Sequence, residues 1–468
     1  MTNPATPYGI ILLPKSPNEN TSSYSSWGAS FGQTINDTYM SSVYRLDATE
    51  TIVMLGQTSP RSLYFSYVPY LFDRWYPYQW YSHNVQWNSC PNVTNLEGSR
   101  CKLFASLGNP INIVNMNTSQ KNGQSFNSAF AYYFGGDQNQ VNRIQSRSVD
   151  AGIPTSIHNA FGISTQRVRF GFNKTSDGFT HITRTAFIED ENEFKNYIHN
   201  PEKFITVLRI TPGNTTNLTT LPFPTETFKQ RISEPESVSS EGLTNKKLIS
   251  FLENDVRFSI IDKFKRTHPF VYQFALQSPI LQNGYDCIDH DVQCYGEIHD
   301  TSYPNSWRST ETSRSCMQKL HKNCPIPYRT TLQEDGSDFF ILTGVNHNAT
   351  KRTLYSSITA YTLPPKTHPL GSFNSHFSPN SYKGSANQYL KQSDISEYFF
   401  AVKISRKCEK DEKFCLVISK SDQGSLRLNE SVVFVERNYL DHMTAGPANG
   451  ALVNPIAYHF SSKYLEGK

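Results

Sequence analysis

Apolar residues fall in short runs rich in β-branched and aromatic side chains, separated by clusters of Gly, Pro, Asn and Ser. That pattern predicts strands over 51–55, 63–68, 204–210, 339–343, 354–361, 398–404 and 432–435. Two stretches carry a helical period instead. Residues 190–199 open on acidic side chains and lead into the strand at 204–210. From 245 to 266, Leu248, Leu252, Val256, Ile260 and Phe264 recur every fourth position, with Thr244 as N-cap and His268–Pro269 as the stop. Such a helix has one apolar stripe and is expected to cover a sheet. The fold class is therefore mainly β with some α.

Residues 222–244 are polar, prolines crowd their start, and no period runs through them, so they read as a linker. It separates an N-terminal β-rich module, 1–221, from a C-terminal module, 245–468, that opens with the long helix. The two halves echo one another. Arg61, Leu63, Tyr64, Ser66 and Tyr70 match Arg352, Leu354, Tyr355, Ser357 and Tyr361 without a gap, and each block follows a strand ending near a glycine, Gly56 or Gly344. Thr21-Ser22 with Tyr24 and Trp27 is echoed by Thr301-Ser302 with Tyr303 and Trp307. The expectation is two tandem β-sandwich-like modules with a few covering helices.

These phrases carry a resemblance. Ser16-Pro17-Asn18, Thr21, Tyr24 and Trp27, followed by Gly56, Pro60-Arg61, Tyr64-Phe65-Ser66 and Tyr70, resemble two motifs of an uncharacterised family of exported bacterial proteins. The resemblance implies β-sandwich modules and an exported setting, and brings no activity with it. Asn20 stands where the family shows Asp, whereas the second copy has Asp300 before Thr301.

Cysteine spacing bears on compartment. Cys90 and Cys101, Cys287 and Cys294, Cys316 and Cys324, and Cys408 and Cys415 form four neighbouring couples. Eight cysteines allow 105 pairings; the local set is the expectation adopted here, against eight buried thiols in a cytosolic protein. No C-x-x-C occurs, which disfavours tetrahedral zinc and thioredoxin chemistry. Cys408–Cys415 is expected to staple a hairpin around the charged tip Glu409–Phe414. Asn-x-Ser/Thr sequons at Asn20, Asn36, Asn92, Asn117, Asn173, Asn214, Asn217, Asn348 and Asn429 suit a glycoprotein. The first apolar run, 8–13, is too short and lacks the basic flank of a signal peptide. An extracellular or cell-surface product would then correspond to a mature or truncated form. No apolar run is long enough to be a transmembrane helix.

The net charge is only +4, from 44 basic and 40 acidic residues, so no nucleic-acid partner is expected. Aromatic residues make up 13%, which excludes a disordered chain. They concentrate over 64–87, with six Tyr, three Trp and two Phe. Phe65 and Leu71 are expected in the core. Trp75, Tyr78, Trp80 and Trp87 are candidates for a platform that stacks against sugar rings or a neighbouring copy.

Residues 284–307 form the densest polar cluster. Asp286, Asp289 and Asp291 could hold calcium through carboxylate oxygens, although the EF-hand spacing is absent; the plainer reading of the same residues is a solvated disulfide loop. His299-Asp300 and His347, with Arg352 and Tyr355, could serve proton transfer and anion stabilisation. The same groups could simply bond a turn. No nucleophile elbow, zinc-protease, P-loop or dinucleotide motif occurs. The leading function is a secreted or cell-surface, disulfide-stapled glycoprotein that binds glycans or its own copies. The alternative is an exported polysaccharide lyase or hydrolase using His347, Tyr355, Arg352, His299 and Asp300.

Overall fold

A computed structural model describes residues 8–19, 40–77, 97–120, 125–213, 218–278, 283–306, 331–362, 375–377, 379–390, 394–418, 432–440 and 445–462. The architecture is mainly β with several sheets and few helices. Two compact units divide the chain. The first comprises Thr6–Lys229 with Leu281–His299, and the second comprises Gln230–Ile280 with Asp300–Lys468.

The first unit holds β1 (Tyr8–Ile10), β2 (Leu13–Pro14), β3 (Met40–Ser41), β4 (Thr51–Gln57), β5 (Ser62–Tyr76), β6 (Ser99–Ser106), β7 (Ile111–Asn112), β8 (Ala129–Gly135), β9 (His158–Gly162), β10 (Gly178–Ile188) and β11 (Ile205–Ile210). Strand β2 pairs with β3, one sheet runs β1-β10-β5-β6, with β7 also on β5, and a second runs β11-β4-β8-β9. Their inner faces meet through rings: Tyr67 of β5 lies 5.2 Å from Phe130 of β8, and His181 of β10 stacks 4.9 Å from Phe134. The outer face of β4 and β8 is closed by the helix Gln138–Asp150, whose Val141 joins Val53, Ala131 and Tyr133 in one apolar cluster. Asp137 caps that helix by accepting from the Gln140 amide.

The second unit holds β12 (Phe270–Ala275), β13 (Thr301–Ser302), β14 (Asp338–Val345), β15 (Tyr355–Thr362), β16 (Ser375–Phe377), β17 (Phe399–Ser405), β18 (Cys415–Val417), β19 (Val432–Tyr439) and β20 (Ile456–Ser461). Its sheets run β12-β20-β14-β17-β18 and β13-β19-β15-β16. Alternation along β14 divides the two faces. Phe340 and Leu342 pack inward with Ile358 and Phe434, whereas Phe339, Ile341 and Val345 face outward. Leu248, Leu252, Val256 and Ile260 cover that outer face, as the four-residue period predicts. Thr244 is the N-cap, and the helix passes through a π segment at Phe251–Val256 before ending at Phe264.

Several expectations change. The stretch 222–244 is not a free linker, because Glu236 is fully buried and Arg231 nearly so. Residues 281–299 fold with the first unit despite lying in the second half of the sequence. Gly284 shows why: a Cβ there would sit 1.9 Å from the Ser106 carbonyl oxygen, so the short helix Gly284–Asp289 lies against β6. Cys408–Cys415 does not staple a hairpin, since β17 and β18 run parallel.

Candidate functional site

The best-built polar cluster is in the second unit, where His347 follows β14. Its Nδ1 lies 2.8 and 3.0 Å from the two Glu236 carboxylate oxygens, and its Nε2 is 3.4 Å from the Glu436 carboxylate. All three side chains are essentially without solvent exposure. Glu236 also accepts from Thr350 Oγ1 at 2.6 Å and the Val453 amide at 3.1 Å; Asn438 Nδ2 donates to Glu436 at 2.9 Å. Burial works against a charged imidazole, but the two carboxylates outweigh it and lift His347 to about 10. Burial likewise works against the Glu236 carboxylate, and His347 with the hydrogen bonds to the carboxylate holds it below the usual range. The cluster is thus a buried ion set at neutral pH, a structural knot more than a poised acid–base pair.

The other residues considered for proton transfer have partners of their own. Arg352 is tied to the His347 turn through its backbone amide, 2.9 Å from the His347 carbonyl, while its guanidinium donates to the Glu234 carbonyl. Tyr355 is fully buried, its ring 5.6 Å from that of Tyr439. His299 Nε2 lies 2.7 Å from the Lys229 carbonyl, and its ring is 4.6 Å from Phe228. The division between the units falls between His299 and Asp300, whose carbonyl accepts from the Leu440 amide.

The three acids read as calcium ligands each have a different partner. Asp286 completes a capping box with Asn283, Asp289 pairs with Arg167, and Asp291 accepts from the Tyr76 hydroxyl. Among the described residues they do not converge as a ligand set. The grouping with ligand atoms close enough is Cys408, Glu412 and Cys415, but its two sulfurs are bonded to each other.

Disulfides join Cys287 to Cys294 and Cys408 to Cys415, with Cα separations of 5.8 and 5.9 Å. Cys101 is also disulfide-bonded; Cys90, Cys316 and Cys324 lie outside the described residues. Of the sequons, Asn20, Asn36, Asn92, Asn214, Asn217 and Asn429 lie outside them too. Asn173 is exposed, and its Oδ1 accepts from the Thr175 and Ser176 amides; among the described residues its Nδ2 makes no hydrogen bond. Asn117 is exposed, with Nδ2 on the His158 carbonyl. Asn348 uses its amide nitrogen on the Thr353 and Leu354 carbonyls, which disfavours a glycan there.

The aromatic run divides between core and surface. Tyr64, Phe65, Tyr67, Tyr70, Leu71 and Phe72 are buried. Trp75 is partly exposed, with the Lys174 ammonium 5.5 Å from its ring; Tyr78, Trp80 and Trp87 lie outside the described residues.

A cavity of about 360 Å³ opens elsewhere in the second unit, a place the strand patterns did not single out. Ala401 and Lys403 of β17 line it. Phe264 and Tyr389 supply rings, Asn387 and Gln388 amides, and the Cys408–Cys415 loop supplies Glu412, Lys413 and Phe414. Lys263 lies 5.4 and 5.1 Å from the Phe264 and Tyr389 rings and donates to Gln388 Oε1 at 2.6 Å. Lys403 is paired with Glu412 at 3.0 Å. Asp411 and Phe414 both hold positive φ, 65° and 62°. A bulky residue in that region costs of order 1–3 kcal/mol and persists only where its surroundings hold it. Here the disulfide and the hydrogen bond from the Lys403 amide to the Phe414 carbonyl, 2.8 Å, hold it.

No family model matches the chain, and no curated protein matches it. Among solved structures, it is similar to a structural-genomics protein from Vibrio parahaemolyticus, with 8% identity and a TM-score of 0.37, covering 88% of this chain and 87% of that one. A putative uncharacterised protein from Burkholderia cenocepacia shares 8% identity and a TM-score of 0.35, covering 89% of this chain and 75% of its own. At this level the likeness carries no functional argument.

Proposed function

We propose that this is an exported, disulfide-stapled binding protein that contacts glycans. The cavity beside the Cys408–Cys415 loop carries the reading. It combines three aromatic rings with amide and ammonium groups, the mixture that holds a pyranose by its apolar face and its hydroxyls. Its volume lies within the range of small-molecule sites. The disulfides support an oxidising compartment, because cytosolic thiols are kept reduced. Among the described residues no helix is long and apolar enough to cross a membrane. Trp75 offers a second ring for sugar contact, and Asn173 the best-placed sequon. The enzyme reading has less support: the His347, Glu236 and Glu436 side chains are essentially without solvent exposure and are engaged with one another.

We also propose that the two units are copies of one module. In β5 and β15 the aligned serines face arginines across the strand pair, Ser66 to Arg184 and Ser357 to Arg437. The aligned glycines face phenylalanines, Gly56 to Phe130 and Gly344 to Phe400. Matching registers along paired strands are what duplication would preserve.

A glycan array probed with the full chain tests the function. Retention that falls about tenfold in protein carrying Asn387→Ala with Gln388→Ala, both exposed positions, at an unchanged thermal midpoint is the expected result. Absence of any glycan signal would overturn the glycan reading.

A further inference from the structure

The charges around the cavity narrow the ligand class, on the premise that the cavity binds sugars. Four charged side chains line it: Lys263, Lys403, Lys413 and Glu412. Glu412 is matched by Lys403, through two contacts of 3.0 and 3.1 Å. Lys263 bonds a neutral amide, and neither it nor Lys413 forms an ion pair with an acid among the described residues. The cavity therefore carries two uncompensated ammonium groups, on opposite sides of its sequence: one from the covering helix, one from the stapled loop. An uncharged ligand would leave them without a counter-charge. A ligand that presents an anion beside a flat, hydroxylated ring satisfies the ammonium groups, the amides and the rings together.

We propose that this cavity is a subsite for an acidic sugar, a pyranose bearing a carboxylate or a sulfate, with Lys263 and Lys413 meeting the anion, Tyr389 and Phe264 meeting the ring, and Asn387 and Gln388 meeting hydroxyls. Ammonium groups can approach either kind of anion, since they act as compact charges without a fixed fork geometry. The strained Phe414 fits the same assignment. A left-handed backbone at a bulky residue places Lys413 and Phe414 on the cavity wall, and the cross-link holds the wall in that shape. The site therefore depends on an oxidised Cys408–Cys415 pair.

Calorimetric titration of the full chain with three probes tests this: a galacturonate hexasaccharide, a sulfated galactose hexasaccharide and a neutral galactose hexasaccharide. At least one acidic probe should bind about tenfold more tightly than the neutral one, and the stronger arm identifies the anion. Raising salt from about 50 to about 300 mM should weaken the acidic probe and leave the neutral one unchanged. Lys263→Gln combined with Lys413→Gln should remove the preference; both side chains are exposed, so the fold should be retained, as the thermal midpoint would show. Equal affinity for acidic and neutral probes, or an acidic preference intact in the double variant, overturns the acidic subsite while leaving glycan binding in place. Failure of all three probes, with an empty glycan array, overturns both.

Discussion

The two units solve one topological problem in different ways. Each has a parallel strand pair, β8 with β9 in the first and β17 with β18 in the second. A parallel pair needs a crossover, normally of a dozen or more residues. The first unit supplies the helix Gln138–Asp150, which also seals the outer face of its sheet. The second has only nine residues, 406–414, between its strands, and braces them with a disulfide. Its covering helix comes instead from 245–264, ahead of the first strand of the unit. In the second unit a cavity lined by Ala401 and Lys403 lies beside the cross-linked loop. One unit thus spans its parallel pair with a helix and the other with a short cross-linked loop.

The buried ion sets differ as well. In the first unit Glu50 is held by Arg209 at 2.7 Å and by Ser16 and Thr211. In the second, two glutamates surround His347. Removing one partner strands a buried charge, so Glu236→Ala and Glu50→Ala should each cost about 3–5 kcal/mol. Urea denaturation reads this, and a cost under about 1 kcal/mol would show that water reaches the remaining partner.

Alkali should separate the two sets next. The raised His347 contributes stability fully below its unfolded value near 6.5 and loses it as pH rises through about 10. A guanidinium keeps its charge over that range, so the Glu50–Arg209 pair should survive it. Acid should affect both alike: the lowered Glu50 and Glu236 contribute above 4.5 and lose that contribution as pH falls through their depressed folded values. Hydrogen exchange at pH 10.5 should show faster opening near His347 than near Glu50. Equal protection would break the contrast.

Cutting the brace comes third. Cys408→Ser with Cys415→Ser should lower stability by about 2–3 kcal/mol on the chain-entropy account and weaken glycan retention. A smaller effect is expected from Asp411→Gly, a gain of about 0.5 kcal/mol, because glycine adopts a positive φ without strain. Differential scanning calorimetry resolves both; a loss of stability at Asp411→Gly would mean that the side chain does more than tolerate the turn.

Much of the fold was readable from one-dimensional pattern. Runs of Val, Ile, Phe and Tyr marked β4, β11, β14, β15, β17 and β19, and the Leu248–Ile260 period marked the covering helix. Other elements escaped it. The helix Gln138–Asp150 is polar almost throughout, with Gln140 and Val141 as its buried positions, so no apolar stripe announced it. The strand β5 continues through Asp73 and Arg74, beyond the apolar run at 63–68; Arg100 and Asp177 neutralise them in space. Within the sites, His347 was visible, but Glu236 was hidden in a proline-rich stretch and Glu436 in an apolar strand.

Local alternation and period determined which segments became strands and helices, because burying one face of an element depends only on side chains two or four positions apart. Cysteine spacing also foretold the short cross-links that formed at Cys287–Cys294 and Cys408–Cys415. Tertiary structure alone decided that β17 and β18 run parallel, that 281–299 joins the first unit, and that Lys263 and Lys413 border one cavity 150 positions apart in the chain. Charge pairing and cavity shape depend on through-space distances of a few ångströms, which no pattern along the chain encodes.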